Sequence, residues 1–228
     1  VGAAKRRHLY LFPKEKDTGS EEAKLPMLFE ENPTVGIILA GSTLLAVAAD
    51  VNWLIAINLV ILVMFLYFYR LPKIKRKEFA KDTIYGPCYG KVSNIVSDGN
   101  TNYITIFLSP LDIHHQYYPV SGVLTERIYD QNGNFALAYE FDKSSKNEKA
   151  IHRFRTDDGE VVMIQIAGFL ARRITYDAKL AGARITAGDR LGMIHFGSRV
   201  DLILPSHYTL QIKIGDYIHG LDTIIAQK

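Results

Sequence analysis

Residues 195 to 205 read HFGSRVDLILP, and in them Gly197-Ser198 stands just ahead of a strand-like apolar run, Val200 to Leu204. A small, flexible dipeptide where a buried strand begins suits either punctuation or a bond built to be broken. The same dipeptide occurs at Gly19-Ser20 and Gly41-Ser42, so alone it carries no chemical signal. His114, in LDIHHQYYP, has an imidazole that titrates near neutral pH and can shuttle a proton; a loop histidine held by hydrogen bonds is the plainer alternative. His115 beside it points elsewhere if this segment is a strand, because successive strand side chains alternate. Asp112 suits holding its turn better than catalysis. Arg172 and Arg173 can meet a phosphate or carboxylate, or serve in buried structural pairs. His195 stands two residues ahead of Gly197.

The elements that must position these groups differ along the chain. Of 228 residues, one is cysteine, Cys88, which excludes an internal disulfide framework, a cysteine-based zinc site and a CxxC redox pair. No metal site is expected. A net charge of +3 is too weak to argue for nucleic acid, though it suits contact with an anionic lipid surface.

From Thr34 to Tyr69 the only charged residue is Asp50. The stretch divides into TVGIILAGSTLLAVAA and VNWLIAINLVILVMFLYFY, helices of roughly 24 and 29 Å against a hydrocarbon core of about 30 Å. The break at Asp50-Val51-Asn52 suits the tip of a helical hairpin. Arg70, Lys73, Lys75, Arg76, Lys77 and Lys81 follow it, and Trp53, Tyr67 and Tyr69 lie near the segment ends. The expectation is a transmembrane hairpin at 34–69, with the domain that follows on the cytoplasmic, positive-inside side. A buried helical pair in a soluble protein is the competing reading, and the charge exclusion argues against it. Residues 1–33 carry six basic and six acidic side chains with little periodicity and read as a flexible leader.

The domain at 70–228 reads as mainly β, with some helix. Short β-rich runs recur between turn signals: KVSNIV, YITIFL, ERIYD, EVVMIQIAGFLARRIT, LGMIHF and VDLILP. AGARITAGDRLGMI and IGDYIHGLDTIIA share a glycine, an aliphatic residue, a turn and a strand. This pattern resembles the hammerhead turns of lipoyl and biotinyl carrier domains, and supports a barrel or sandwich. Neither turn tip carries the lysine that a carrier needs.

GDRLGMIHFGSRVDLILP resembles the C-terminal signature of the phosphatidylserine decarboxylase family, above all its shorter members. Other stretches agree, in the family's order. YFYRLPKIK is similar to the segment after that family's membrane hairpin, and GPCYGKV to its Pro-Ala-Asp-Gly-Lys-Val turn. FLSPLDIHHQYYPVSG, NEKAIHRF and VVMIQIAGFLARRI are similar to three further blocks. The likeness covers roughly residues 34 to 205, and ordered motifs are more specific than any one alone.

The resemblance implies a proenzyme that cleaves itself between Gly197 and Ser198, leaving a covalent pyruvoyl cofactor derived from Ser198. It further implies a Schiff base between that ketone and the substrate amine, loss of CO2, and release of phosphatidylethanolamine from a phosphatidylserine-type lipid in the membrane. His114 matches the histidine present in both long and short members, which makes it the candidate for protonating the substrate carbanion and for the cleavage step. Asn147 and Glu148 match a family motif without a chemical task, and His195 stands where the family's usual residue is not histidine. A homodimer is among the assemblies the sequence admits.

Two departures matter. Tyr89 stands where the family has the aspartate that orients the histidine used in self-cleavage of long members, and Tyr117 stands where those long members carry a second histidine three residues after the first. Short members also lack the latter. The rival reading, motivated by Tyr89, is a non-enzymatic relative that binds phospholipid without processing. A decarboxylase for a soluble amine is the third, and the hairpin argues against it.

Overall fold

The computed structural model describes residues 27–75, 78–130, 147–168, 173–195 and 198–228. Most of the leader, 1–26, lies outside them, as do Arg76 and Lys77 of the basic run. The described residues form two compact units, one of Ile74–Pro110 and His114–Lys228, the other ending at Lys73 and including Leu111–Ile113.

The smaller unit is helical. A short helix α1 (Met27–Glu31) precedes α2 (Pro33–Ala48) and α3 (Asn52–Phe68). Proline opens α2, where its missing N–H costs no hydrogen bond. Between the helices Asp50 takes the left-handed φ of 54°, and Val51 donates to the Ala46 carbonyl at 2.9 Å. Leu44, Leu45, Trp53 and Val60 remain exposed. Ser42 and Thr43 return their hydroxyls to the Leu39 carbonyl, so neither spends its hydrogen on another element. Arg70 donates to the carbonyls of Tyr67 and Leu111. At 16 and 17 residues the long helices measure about 24 and 26 Å. No helix among the described residues is long and apolar enough to cross a membrane.

The larger unit is mainly β, as its sequence texture predicts. Its strands in chain order are β1 (Thr83–Tyr85), β2 (Tyr89–Ser97), β3 (Thr101–Leu108), β4 (His115–Tyr117), β5 (Gly122–Asp130), β6 (Lys149–Thr156), β7 (Gly159–Ala167), β8 (Arg173–Tyr176), β9 (Arg184–Ile185), β10 (Arg190–His195), β11 (Ser198–Pro205), β12 (Thr209–Leu210), β13 (Tyr217–His219) and β14 (Ile224–Gln227). One curled sheet runs β13-β2-β3-β11-β7-β6-β5-β9, and two small sheets run β4-β10-β8 and β1-β14-β12. Every pairing among the described residues is antiparallel. Irregular register between Val92 and Asn94 and between Leu124 and Glu126 adds local twist, which helps the large sheet to curl.

Period-two alternation decides which side chains enter the core. Ile104, Ile106 and Leu108 of β3 meet Leu202, Val200 and Ser198 of β11 in register, and Met163 of β7 meets Leu202 from the other side. These aliphatic residues are buried in one cluster with Val92, Leu124, Phe154 and Ile194. Burying each such side chain contributes about 1.5–3 kcal/mol, which pins β11 as a central strand. The two echoed segments form strand–turn–strand units, β9 to β10 and β13 to β14, yet in neither do the two strands pair with each other. Each connects different sheets.

Candidate functional site

Two neighbouring strands of the large sheet continue as two neighbouring strands of a small one. β7 pairs β11, and their continuations β8 and β10 pair each other. β10 ends at His195 in one sheet and β11 begins at Ser198 in another. Gly197 and Arg172 both lie outside the described residues.

Ser198 opens β11, flanked in register by Leu108 and Ala167. It is fully buried, and its hydroxyl has no hydrogen-bond partner among the described residues. A buried hydroxyl left in that state costs about 1–3 kcal/mol, so its retention calls for a reason other than packing. Asn147 and Glu148 supply the support that the sequence left without a task. Asn147 donates its amide to the Ala167 carbonyl at 2.9 Å, and the Ala167 N–H donates to the Glu148 carbonyl at 2.9 Å. Tyr129 donates its phenol to the Glu148 carboxylate. The motif thereby fixes the ladder residue beside Ser198.

The opposite face of β11 is charged. Arg199 donates to Asp201 at 2.9 Å, both side chains are buried, and Tyr103 donates to the same carboxylate. Burial pushes the Asp201 carboxyl up, and the Arg199 guanidinium pulls it back. Losing either partner would strand a buried charge, at about 3–5 kcal/mol.

The small sheet gathers the histidines. His195 lies directly opposite Arg173, and His115 lies opposite Met193, which places His115 and His195 on one face. His114, His115 and His195 are all buried. Burial lowers the His195 pKa to about 3, helped by the charges of Arg173, His115, His114 and Arg190. His195 is therefore a neutral imidazole near pH 7, and the cluster is a place where cationic groups converge. The His114 main chain is fixed from two sides: its carbonyl accepts from Ile194 N–H at 3.3 Å and from the Gln116 amide at 2.7 Å. β10 can approach β8 this closely because residue 192 is glycine; a Cβ there would stand 2.1 Å from the Thr175 carbonyl oxygen.

The remaining candidates belong to other elements. Asp112 belongs to the helical unit. Tyr89 is half-buried beside Tyr85, Tyr117 and Leu221, with its ring against Gly220, whose φ is +56°. Burial raises the Tyr89 phenol and the Asp222 charge raises it further; Tyr117 is also raised, first by burial and then by Tyr89. So the two positions where the sequence departs from its family resemblance belong to one small cluster, and the Tyr89 charge acts on the Tyr117 phenol. Sequence reasoning missed Arg190, which acts on both His195 and Tyr117. Its place in a turn-to-strand sequence gave no signal.

The family described as phosphatidylserine decarboxylase matches residues 62–226. A phosphatidylserine decarboxylase proenzyme from Chlorobium limicola is 32% identical over 199 residues, covering 85% of this chain and 92% of the relative. One from Solibacter usitatus is 33% identical, over 81% of this chain and 91% of the relative. One from Streptomyces avermitilis is 37% identical, over 66% of this chain and 67% of the relative.

Proposed function

The chain belongs to the phosphatidylserine decarboxylase family and is a decarboxylase made as a proenzyme; from that premise we propose that it cuts itself between Gly197 and Ser198 and acts on phosphatidylserine through a pyruvoyl group left at position 198. One observation carries the reading: the serine at the family's cleavage position heads a central strand, fully buried, with a hydroxyl that has no hydrogen-bond partner among the described residues. Ser198 Oγ attacks the Gly197 carbonyl carbon, and the amide becomes an ester. Loss of the Ser198 Cα proton then expels Gly197 as a carboxylate. The dehydroalanine left behind takes up water and releases ammonia, which leaves the ketone on the downstream fragment.

The residues around Ser198 fit such a group. Leu108 and Ala167 flank it in register, and the charged pair of β11 faces the other way. When present, the pyruvoyl carbonyl supplies an electron sink for the bond that releases CO2. His114 holds the proton that the substrate Cα takes up after CO2 leaves. Arg173, with Arg172 beside it in sequence, receives the phosphate or carboxylate of the headgroup. Burial of the site keeps water from competing for that proton.

The helical unit supports a membrane location. An apolar surface of this extent rarely faces water, and its hydroxyls are turned back on the helix. In this reading it sinks into the lipid, and the basic residues from Arg70 onward hold the β domain at the cytoplasmic face. Purified, cleaved protein should release CO2 from phosphatidylserine vesicles and none from free serine. Cleaved protein that left the vesicles unchanged would contradict the reading.

The phenol pair bears on maturation. A carboxylate at position 89 would stand opposite His219 in register, with the Asp222 charge and Tyr117 also acting on it, and position 117 would still offer a phenol in place of an imidazole. Tyr89→Asp alone should therefore cleave no faster than the parent, and Tyr89→Asp with Tyr117→His should cleave faster. Timed denaturing gels check both, and acceleration by the single change would show that a carboxylate alone was limiting.

A further inference from the structure

The core of the β domain holds polar side chains that the chemistry above does not use. Gln116, His152 and Gln165 are fully buried, on β4, β6 and β7. With Arg127 of β5 they form a continuous chain of hydrogen bonds. Arg127 Nε–H donates to His152 Nδ1 at 3.0 Å. His152 Nε2 meets Gln165 Oε1 at 2.8 Å, Gln165 Nε2 donates to Gln116 Oε1 at 2.9 Å, and Gln116 Nε2 donates to the His114 carbonyl at 2.7 Å.

The direction of this chain is forced. Arginine can only donate, so His152 Nδ1 must accept and Nε2 must carry the hydrogen. The two amides are then oriented in turn, and the backbone carbonyl at the end can only accept. The start is immobile as well. All five guanidinium donors of Arg127 are taken: beyond His152 they reach the Asp177 and Lys179 carbonyls, the Tyr118 phenol oxygen and the Asp177 carboxylate, at 2.7–3.0 Å. Burial and then the Arg127 charge lower the His152 pKa to about 3, so the imidazole stays neutral.

The route matters more than the burial. Gln165 stands opposite Val200, two residues past Ser198 on the same side of the sheet, while Gln116 stands opposite Gly192 on β10. The chain therefore joins the two sheets on either side of the cleavage junction. A core that needed only filling would use leucine or methionine, which bury without the desolvation cost of two amides and an imidazole.

We propose that Arg127, His152, Gln165 and Gln116 are a one-way hydrogen-bonded relay that positions the His114 main chain against the Ser198 strand, making His152 a positioning residue for self-cleavage and for turnover. The inference rests on the roles proposed above for Ser198 and His114. Gln165→Met keeps the volume and removes both amide groups. It should slow cleavage at least tenfold and lower kcat of the cleaved enzyme at least tenfold, with KM within twofold. Gln116→Met should do the same, and the double variant should be no slower than the slower single, because both cut one chain. Rates within twofold of the parent for both singles overturn the proposal. Nitrogen NMR of histidine-labelled, uncut Ser198→Ala protein decides independently if the methionine variants fail to fold. A neutral His152 with its hydrogen on Nε2 at pH 7 is expected, and an Nδ1–H tautomer or an imidazolium overturns the relay. A parent protein that never cleaves would defeat the proposed function instead, and the nitrogen signature would still test the relay.

Discussion

Ser198→Ala yields one uncut chain that releases no CO2 from phosphatidylserine. The methyl group offers neither the oxygen that attacks Gly197 nor the leaving group that creates the ketone, so both maturation and chemistry stop together. The fold should not suffer. The hydroxyl is buried between Leu108 and Ala167 without a partner among the described residues, and deleting such a group is neutral or stabilising. An unchanged or slightly higher Tm beside a total loss of cleavage would separate chemistry from collapse. Fragments from this variant, or CO2 from its uncut chain, would remove Ser198 from the mechanism.

His114→Ala should lower kcat by about 10²–10⁴, the usual contribution of a positioned proton donor. That corresponds to about 3–5 kcal/mol of lost transition-state stabilisation. KM should move only a few-fold, because the groups proposed to bind the headgroup anions are arginines at other positions. His114→Ala keeps its backbone carbonyl, so the contacts from Ile194 and Gln116 survive and the loss reports on the ring alone. Steady-state rates on vesicles, using whatever fraction of the variant matures, give both constants. An unaltered kcat would take His114 out of the site.

Much of the β domain was legible from short alternating runs, because a half-buried strand advertises its two faces. KVSNIV, YITIFL and VDLILP each lie within strands β2, β3 and β11. EVVMIQIAGFLARRIT was harder, since it reads as one apolar run but contributes to β7 and β8 in different sheets. β6 was read only as part of the NEKAIHRF block and not as a strand, although Ala150, His152 and Phe154 are buried in alternation with the half-buried Ile151 and Arg153. The obstacle was His152: a histidine at a core position looks polar until Arg127 and Gln165 are known to satisfy it. Pairing partners far apart in sequence leave no local trace.

The same limit governs the site. Gly197-Ser198 gained meaning only from its flanks, and Ser198 from its family resemblance. The support for Ala167 by Asn147 and Glu148, the basic surroundings of His195, and the clustering of Tyr89 with Tyr117 all arise from strand register. The helical pair was visible in the absence of charge from Thr34 to Tyr69, yet its second helix spans Asn52–Phe68 rather than the full apolar run.

The most direct measurement is the mass of the working protein under denaturing conditions. The account predicts two fragments, one ending in a free Gly197 carboxylate and one beginning at position 198 with a pyruvoyl group that blocks stepwise degradation from its amino end. Full decarboxylase activity from an intact chain bearing an ordinary serine at position 198 would contradict it.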